Sequence, residues 1–201
     1  MTVASKYPKS ITKEAINALP PTAYEGKIEV IDYPADVERA VSALSREKIL
    51  GFDTESRPAF KKGEHHPIAL LQLCGSETAY LFRLKNIGLS KDLIGILANP
   101  QIKKVGVAIH DDLKGLKKIS PFNPEGFVEL ADLAKKMELT NLGLRSLAAI
   151  FLERKISKSA KLSNWEKPEL DLQQRIYAAT DAWIGRELYL FFEKELGKYI
   201  S

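Results

Sequence analysis

The sequence predicts an α/β domain: a mixed β-sheet with one antiparallel hairpin, flanked by helices. Three patterns carry that prediction. Ile49–Phe52 and Val105–Ile109 are short, wholly apolar runs, as in strands buried on both faces. Ile68–Cys74 and Thr78–Leu84 enclose Gly75-Ser76-Glu77, the pattern of a hairpin. Apolar stripes at helical spacing lie between and after these runs, so strands and helices mix along the chain.

Residues 1–25 read as a polar leader with one short helix. Ser10 or Thr12 caps it, Ile11, Ala15, Ile16 and Leu19 give its apolar face, and Pro20-Pro21 end it. The main domain is expected over 26–201. Lys27–Ile31 alternates as an edge strand does, and Asp36 is expected to cap a helix with the stripe Val37, Ala40, Val41 and Leu44. Lys91–Leu97 reads as helix. Another helix is expected to open at Asp111–Asp112, directly after the second buried strand, with Leu113, Leu116 and Ile119 inward. Leu130–Met137 and Leu142–Leu152 read as further helices. Glu153–Pro168 is basic and polar and reads as a loop. A long helix from about Glu169 to Leu196 closes the chain, with Leu172, Ile176, Ala179, Trp183 and Phe191 among its apolar positions. The leader, residues 56–66 and the loop around Lys155–Lys161 are the segments expected to be flexible.

At 201 residues, 45% hydrophobic and 28% charged, the chain suits one globular domain with a sizeable core. A net charge of +4 permits a polyanionic partner without requiring one. One cysteine, Cys74, rules out an internal disulfide framework and any multi-cysteine metal site, and suits a reducing compartment. The N-terminal residues lack the apolar core of a signal peptide, and no apolar run reaches the ~18 residues of a membrane span. The expected setting is cytoplasmic, with no membrane partner.

Five residues in three blocks carry the chemistry. Asp53 and Glu55, in ILGFDTES, stand at i and i+2 and so face the same way at the end of a buried strand. Adjacent carboxylates repel unless a cation lies between them, and hard oxygen ligands select Mg²⁺ or Mn²⁺. Taken alone, Asp-x-Glu is common, and a turn cap beside a solvated charge explains it as well. Asp111 and Asp112 begin a helix, where a carboxylate can simply cap, and spacing does not choose between them. Tyr177 and Asp181 stand four apart on the last helix and share a face beside Ala178, Ala179 and Ala182. Side-chain packing and a surface charge would also account for that pair.

The three blocks together resemble the 3′–5′ exonucleases of the DEDD superfamily, in the subgroup with a tyrosine in the third motif, to which ribonuclease D and the Werner syndrome exonuclease domain belong. The first motif is similar to FDTE at Phe52–Glu55. The second, G-V-x-I-x-x-D-x-x-x-L, runs from Gly106 to Leu116 and selects Asp112 over Asp111. The third is Y-A-A-x-D-A, from Tyr177 to Ala182. IALLQLCGSETAYLF and LSNW also resemble stretches of Werner-type domains, and the likeness covers about residues 27–196. It implies a ribonuclease H-like mixed sheet. The His110-Asp111 pair departs from the glycine common before the second-motif aspartate, and the residues after Glu55, including His65-His66, diverge. Neither a helicase region nor an extra C-terminal helical domain is recognisable, so a nuclease module standing alone is expected.

The resemblance implies metal-dependent hydrolysis of DNA or RNA from a free 3′ end, releasing nucleoside 5′-monophosphates. Asp53, Glu55, Asp112 and Asp181 would hold two divalent cations, Mg²⁺ or Mn²⁺, and Tyr177 would orient the attacking water. A catalytically weak nucleic-acid-binding or adaptor module on the same fold is the alternative. Such modules usually lose a ligand carboxylate, whereas all four stand here with Tyr177. Lys114, Lys117 and Lys118 on one helix, and Lys155, Lys158 and Lys161 in the loop before the last helix, are candidates to meet backbone phosphates. For each set a solvated charged face is the favoured reading. Phe60 is a candidate to stack on a terminal base. A separate helicase or repair partner is left open.

Overall fold

A computed structural model of the chain describes residues 6–61 and 63–200. Six strands, β1 (Lys27–Ile31), β2 (Ile49–Ser56), β3 (Ile68–Cys74), β4 (Thr78–Arg83), β5 (Lys103–Gly106) and β6 (Phe127–Glu129), form one sheet in the order β1-β4-β3-β2-β5-β6. Strands β2, β3 and β4 pair antiparallel, while β1–β4, β2–β5 and β5–β6 pair parallel. The expected mixed sheet with its hairpin is therefore present. The helices are α1 (Lys13–Ala18), α2 (Pro34–Leu44), α3 (Leu84–Ile87), α4 (Lys91–Leu97), α5 (Ile109–Ile119), α6 (Leu130–Lys136), α7 (Leu144–Leu152) and α8 (Leu172–Ile200).

Alternation along the strands sends side chains to two cores. On one face Phe52, Leu71, Leu73 and Phe82 pack with Val37 and Leu44 of α2, Leu93 and Ile96 of α4, and Ile109 and Leu116 of α5. On the other face Leu70, Leu81, Cys74 and Ala79 meet Ala178, Ala179 and Ala182 of α8. Helices α6 and α7 pack outside α8 through Leu130, Leu147, Ala148, Leu188 and Phe192. Each fully buried Leu or Phe contributes about 1.5–3 kcal/mol.

Small residues decide how close α8 comes. A Cβ on Gly51 would lie 1.9 Å from the Ala182 carbonyl oxygen, so the helix backbone rests directly on β2. A Cβ on Gly185 would lie 3.1 Å from the Val105 carbonyl oxygen.

Several boundaries differ from expectation. Strand β2 runs through Asp53 and Glu55 to Ser56, because pairing with β3 continues where the apolar run has stopped. Strand β5 ends at Gly106, and α5 opens at Ile109, two residues before Asp111. Ala108 turns the chain between them at a φ of 64°, a conformation that costs a residue with a Cβ. Helix α2 begins at Pro34, whose ring presets the first helical position, so Asp36 sits inside the first turn and Tyr33 takes the cap position. Helix α8 begins at Leu172: Asp171 Oδ1 accepts from the Gln174 N–H at 2.9 Å, and Gln174 Oε1 accepts from the Asp171 N–H at 3.2 Å. That reciprocal cap moves the start inward from Glu169. Three-residue β6 was not foreseen.

Residues 6–25 pack against the rest of the described chain. Thr12 caps α1, its Oγ1 accepting from the Ala15 N–H at 3.2 Å. Tyr7 packs on Phe151 and Phe191, at ring-centre distances of 5.0 and 5.8 Å. Pro20–Thr22 bridge to Lys155, whose carbonyl accepts from the Thr22 N–H at 2.9 Å and whose N–H donates to the Pro20 carbonyl at 2.9 Å.

Candidate active site

The site forms where β2 outruns its neighbour. Strand β5 pairs with β2 only through Gly51, so the next residues leave one edge open. Here the alternation of the strand separates three side chains. Asp53 and Glu55 share the α8 face with Gly51, whereas Thr54 points to the α5 side. A register shift between Glu55 and Ser56 ends the regular pairing, and such irregularities re-aim side chains beside functional sites.

Helix α8 brings Asp181 to the two strand carboxylates. Asp53, Glu55 and Asp181 each offer an oxygen, and these oxygens lie within 4.8 Å of one another. Asp112 stands outside that trio. Its Oδ1 accepts from Thr54 Oγ1 at 2.6 Å, and its charge acts on both Asp53 and Glu55. The second-motif aspartate thus reaches the site from the opposite face of the sheet. Glu129 fixes the start of α5, accepting from the Ile109 N–H at 2.9 Å while also accepting from Ala131 N–H at 3.0 Å.

Crowding shifts every acid in the group. Burial, then the charges of Asp181, Glu55 and Asp112, hold the Asp53 carboxyl well above the usual range. Burial, then Asp181 and Asp112, push Glu55 up to about 8, although Lys161 opposes the shift. Asp181 rises to about 7 through burial, opposed by the Tyr177 hydroxyl and the Arg145 charge. Asp112 rises to about 6 through burial, against the Thr54 hydrogen bond. Burial and the three neighbouring carboxylates raise Tyr177 above its ordinary value, so the phenol keeps its proton.

The trio opens on a cleft of about 540 Å³ lined by Asp53, Glu55, Arg57, His65, Lys161 and Tyr177, among others. Phe60 lies in the segment bordering this cleft and is 78% exposed. Glu64 ties that segment down, accepting from the Phe60 and Lys61 N–H groups, and one of its carboxylate oxygens stands 3.1 Å from His66 Nε2. A smaller adjoining cavity of about 260 Å³ shares Lys161, Tyr177 and Asp181 and adds Arg145, Ser157 and Lys158. The Trp165 ring, fully buried, stands 6.0 Å from Tyr177 and backs it.

Of the candidate lysines, Lys158 and Lys161 therefore border the site. Lys155 is held in the leader bridge, its Nζ donating to the Asn17 carbonyl at 2.8 Å. Lys114 pairs with exposed Asp111 at 3.3 Å, and Lys117 and Lys118 lie on the exposed last turn of α5. Sequence reasoning missed Thr54 and Arg145. Thr54 was legible in principle, standing between the two carboxylates with strand alternation aiming it at the following helix. Nothing in the sequence marked Arg145, whose Nε donates to the Ile156 carbonyl at 3.1 Å across a loop.

The donors fit hard divalent cations: all are carboxylate oxygens, grouped within reach of a shared ion and strained by mutual repulsion that a cation would relieve. Among the described residues, no helix is long and apolar enough to cross a membrane.

A model of the 3′–5′ exonuclease family matches residues 28–197. The chain is 36% identical over 152 residues to the Mus musculus bifunctional 3′–5′ exonuclease/ATP-dependent helicase WRN, covering 73% of this chain and 11% of that protein. It is 32% identical over 132 residues to ribonuclease D of Haemophilus influenzae, covering 65% of this chain and 33% of that one. The chain thus spans a third or less of either relative. The solved Nibbler EXO domain of Aedes aegypti superposes with a TM-score of 0.78 at 24% identity, covering 90% of this chain and 94% of that one, and speaks to the fold alone. With its ribonuclease H-like mixed sheet and its match over most of its length, the chain belongs to the 3′–5′ exonuclease family, whose members are hydrolases acting on nucleic acids.

Proposed function

We propose that this domain removes nucleotides one at a time from the 3′ end of DNA or RNA, releasing nucleoside 5′-monophosphates. The observation that carries the reading is the trio of carboxylate oxygens within 4.8 Å, set beside a protonated tyrosine at the foot of a cleft. Asp53, Glu55 and Asp181, with Asp112 at the margin, would hold two divalent cations, Mg²⁺ or Mn²⁺. When bound, such ions supply Lewis acidity and a more acidic water.

The chain's own groups do the rest. Asp53 and Glu55, fixed by strand geometry, define where the reacting phosphate lies. Tyr177 keeps its proton, so its hydroxyl orients the attacking water by hydrogen bonding and does not act as a free base. Lys161 and Arg145 place positive charge beside Glu55 and Asp181, and with Lys158 they offset the charge of an incoming backbone.

A time course on a 5′-labelled oligonucleotide, with matched DNA and RNA and with Mg²⁺ or Mn²⁺, tests this. Stepwise shortening from the 3′ end is expected, stopped by chelator and abolished by Asp53→Ala or Asp181→Ala in proteins that remain folded. Full metal-dependent hydrolysis by Asp53→Ala would overturn the assignment.

A further inference from the structure

Gln72 is a fully buried polar side chain with no part in the proposed chemistry. It lies mid-strand in β3, and neither its Oε1 nor its Nε2 has a hydrogen-bond partner among the described residues. Leaving a buried amide unsatisfied is destabilising, because its lost hydration is not replaced. Its position gives the reason to keep it. Gln72 is the direct cross-strand partner of Asp53 in the β2–β3 pair, and of Leu81 in the β3–β4 pair. Partners opposite one another on antiparallel strands project to the same face with Cβ atoms about 4.5–5.5 Å apart. That face is the one under α8. Gly51, two residues before Asp53, touches the Ala182 carbonyl there, and Leu70 and Cys74, two residues either side of Gln72, pack with Ala178 and Ala182. The amide is thus confined beneath α8, on the face that carries Asp53, with Leu81 opposite it on the other neighbouring strand.

We propose that Gln72 is a positioning residue for Asp53: its amide N–H donates to the Asp53 carboxylate when that carboxylate holds a cation. The inference rests on the reading of the acidic trio as a cation site. A carboxylate that serves as a ligand has oxygens to spare, and a neighbouring donor fixes which of them face the ion. In a strand that carries Asp53 by its backbone alone, the remaining freedom is the side-chain torsions, and a buried amide opposite removes it. An apolar residue would fill the same space without leaving polar atoms unpaired, so burial alone does not account for glutamine.

The test is Mn²⁺ binding to the purified protein by calorimetry, for wild type, Gln72→Leu and Gln72→Met, alongside thermal melts in EDTA. Both variants should bind Mn²⁺ about tenfold more weakly, in the range for loss of a partner to a metal ligand. Their melting temperatures in EDTA should equal or exceed that of wild type, because an unpaired buried amide is gone. At saturating Mn²⁺ they should turn over an oligonucleotide more slowly at unchanged KM. Wild-type Mn²⁺ affinity in either variant overturns the proposal. So does a lower melting point in EDTA for both, or failure of both to fold, since the amide would then be structural. A wild-type protein that binds no Mn²⁺ would remove the cation reading itself, a result distinct from wild type and variants binding alike.

Discussion

Burial raises the proton affinity of Asp53, Glu55 and Asp181, and for Asp53 and Glu55 the repulsion of neighbouring carboxylates adds to it. The folded protein therefore binds more protons than the unfolded chain between the ordinary carboxylate range and about pH 8, and its stability falls as pH rises through that window. The metal-free protein should melt at a higher temperature at pH 5.5 than at pH 8.5, and saturating Mg²⁺ or Mn²⁺ should remove most of the difference. A melting point in EDTA that rises over that interval would contradict the crowding described here. Tyr177→Phe deletes the hydroxyl while keeping the ring on Trp165, so turnover should fall about a hundredfold or more, with oligonucleotide affinity nearly unchanged by titration. These residues were legible because motif spacing and strand alternation are local properties. The Thr54–Asp112 hydrogen bond and the charge of Arg145 beside Asp181 were not, because each joins segments that only the folded chain brings together.

Helix α8 owes its placement to an absence of side-chain volume. Gly51→Ala would put a methyl 1.9 Å from the Ala182 carbonyl oxygen, which belongs to backbone and cannot swing aside. The helix must shift, carrying Asp181 away from Asp53 and Glu55. Circular dichroism melts should show a loss of at least ~1–3 kcal/mol, the range for overpacking, and exonuclease turnover should fall further than stability alone explains. A Gly51→Ala protein with wild-type activity and melting point would mean that α8 tolerates displacement. At this scale the types of the longer elements were readable from periodicity, and their ends were not. Strand β2 continues through polar residues because its partner strand continues, and α5 begins early because the Glu129 carboxylate receives the Ile109 N–H. Both extensions depend on neighbours remote in sequence. The alanine at position 108, with its positive φ, gave no turn signal of the kind glycine provides.

Residues 6–25 act on the whole molecule as a strap. They join α7 and α8 through Tyr7, the 154–156 segment through Pro20–Thr22, and α8 again through the Tyr24 N–H, which donates to Thr180 Oγ1 at 2.9 Å. Removing residues 1–22 should lower the melting point, by about 2–4 °C for each kcal/mol lost in a chain of this size. It should also raise the KM for an oligonucleotide, because the loop bearing Lys158 and Lys161 loses its tie at Lys155. An unchanged KM in the truncated protein would show that the loop holds its place unaided. The polar composition of this segment concealed that role, since many of its ties are hydrogen bonds to residues remote in sequence.

Asp112 and Asp181 approach from opposite layers, one helix on each side of the same strand. Neither half of the protein alone possesses the full proposed oxygen set, so the proposed hydrolysis would report on whether both halves are docked. In a urea titration, enzymatic output should vanish no later than the helical signal, and any partly opened species will be catalytically silent.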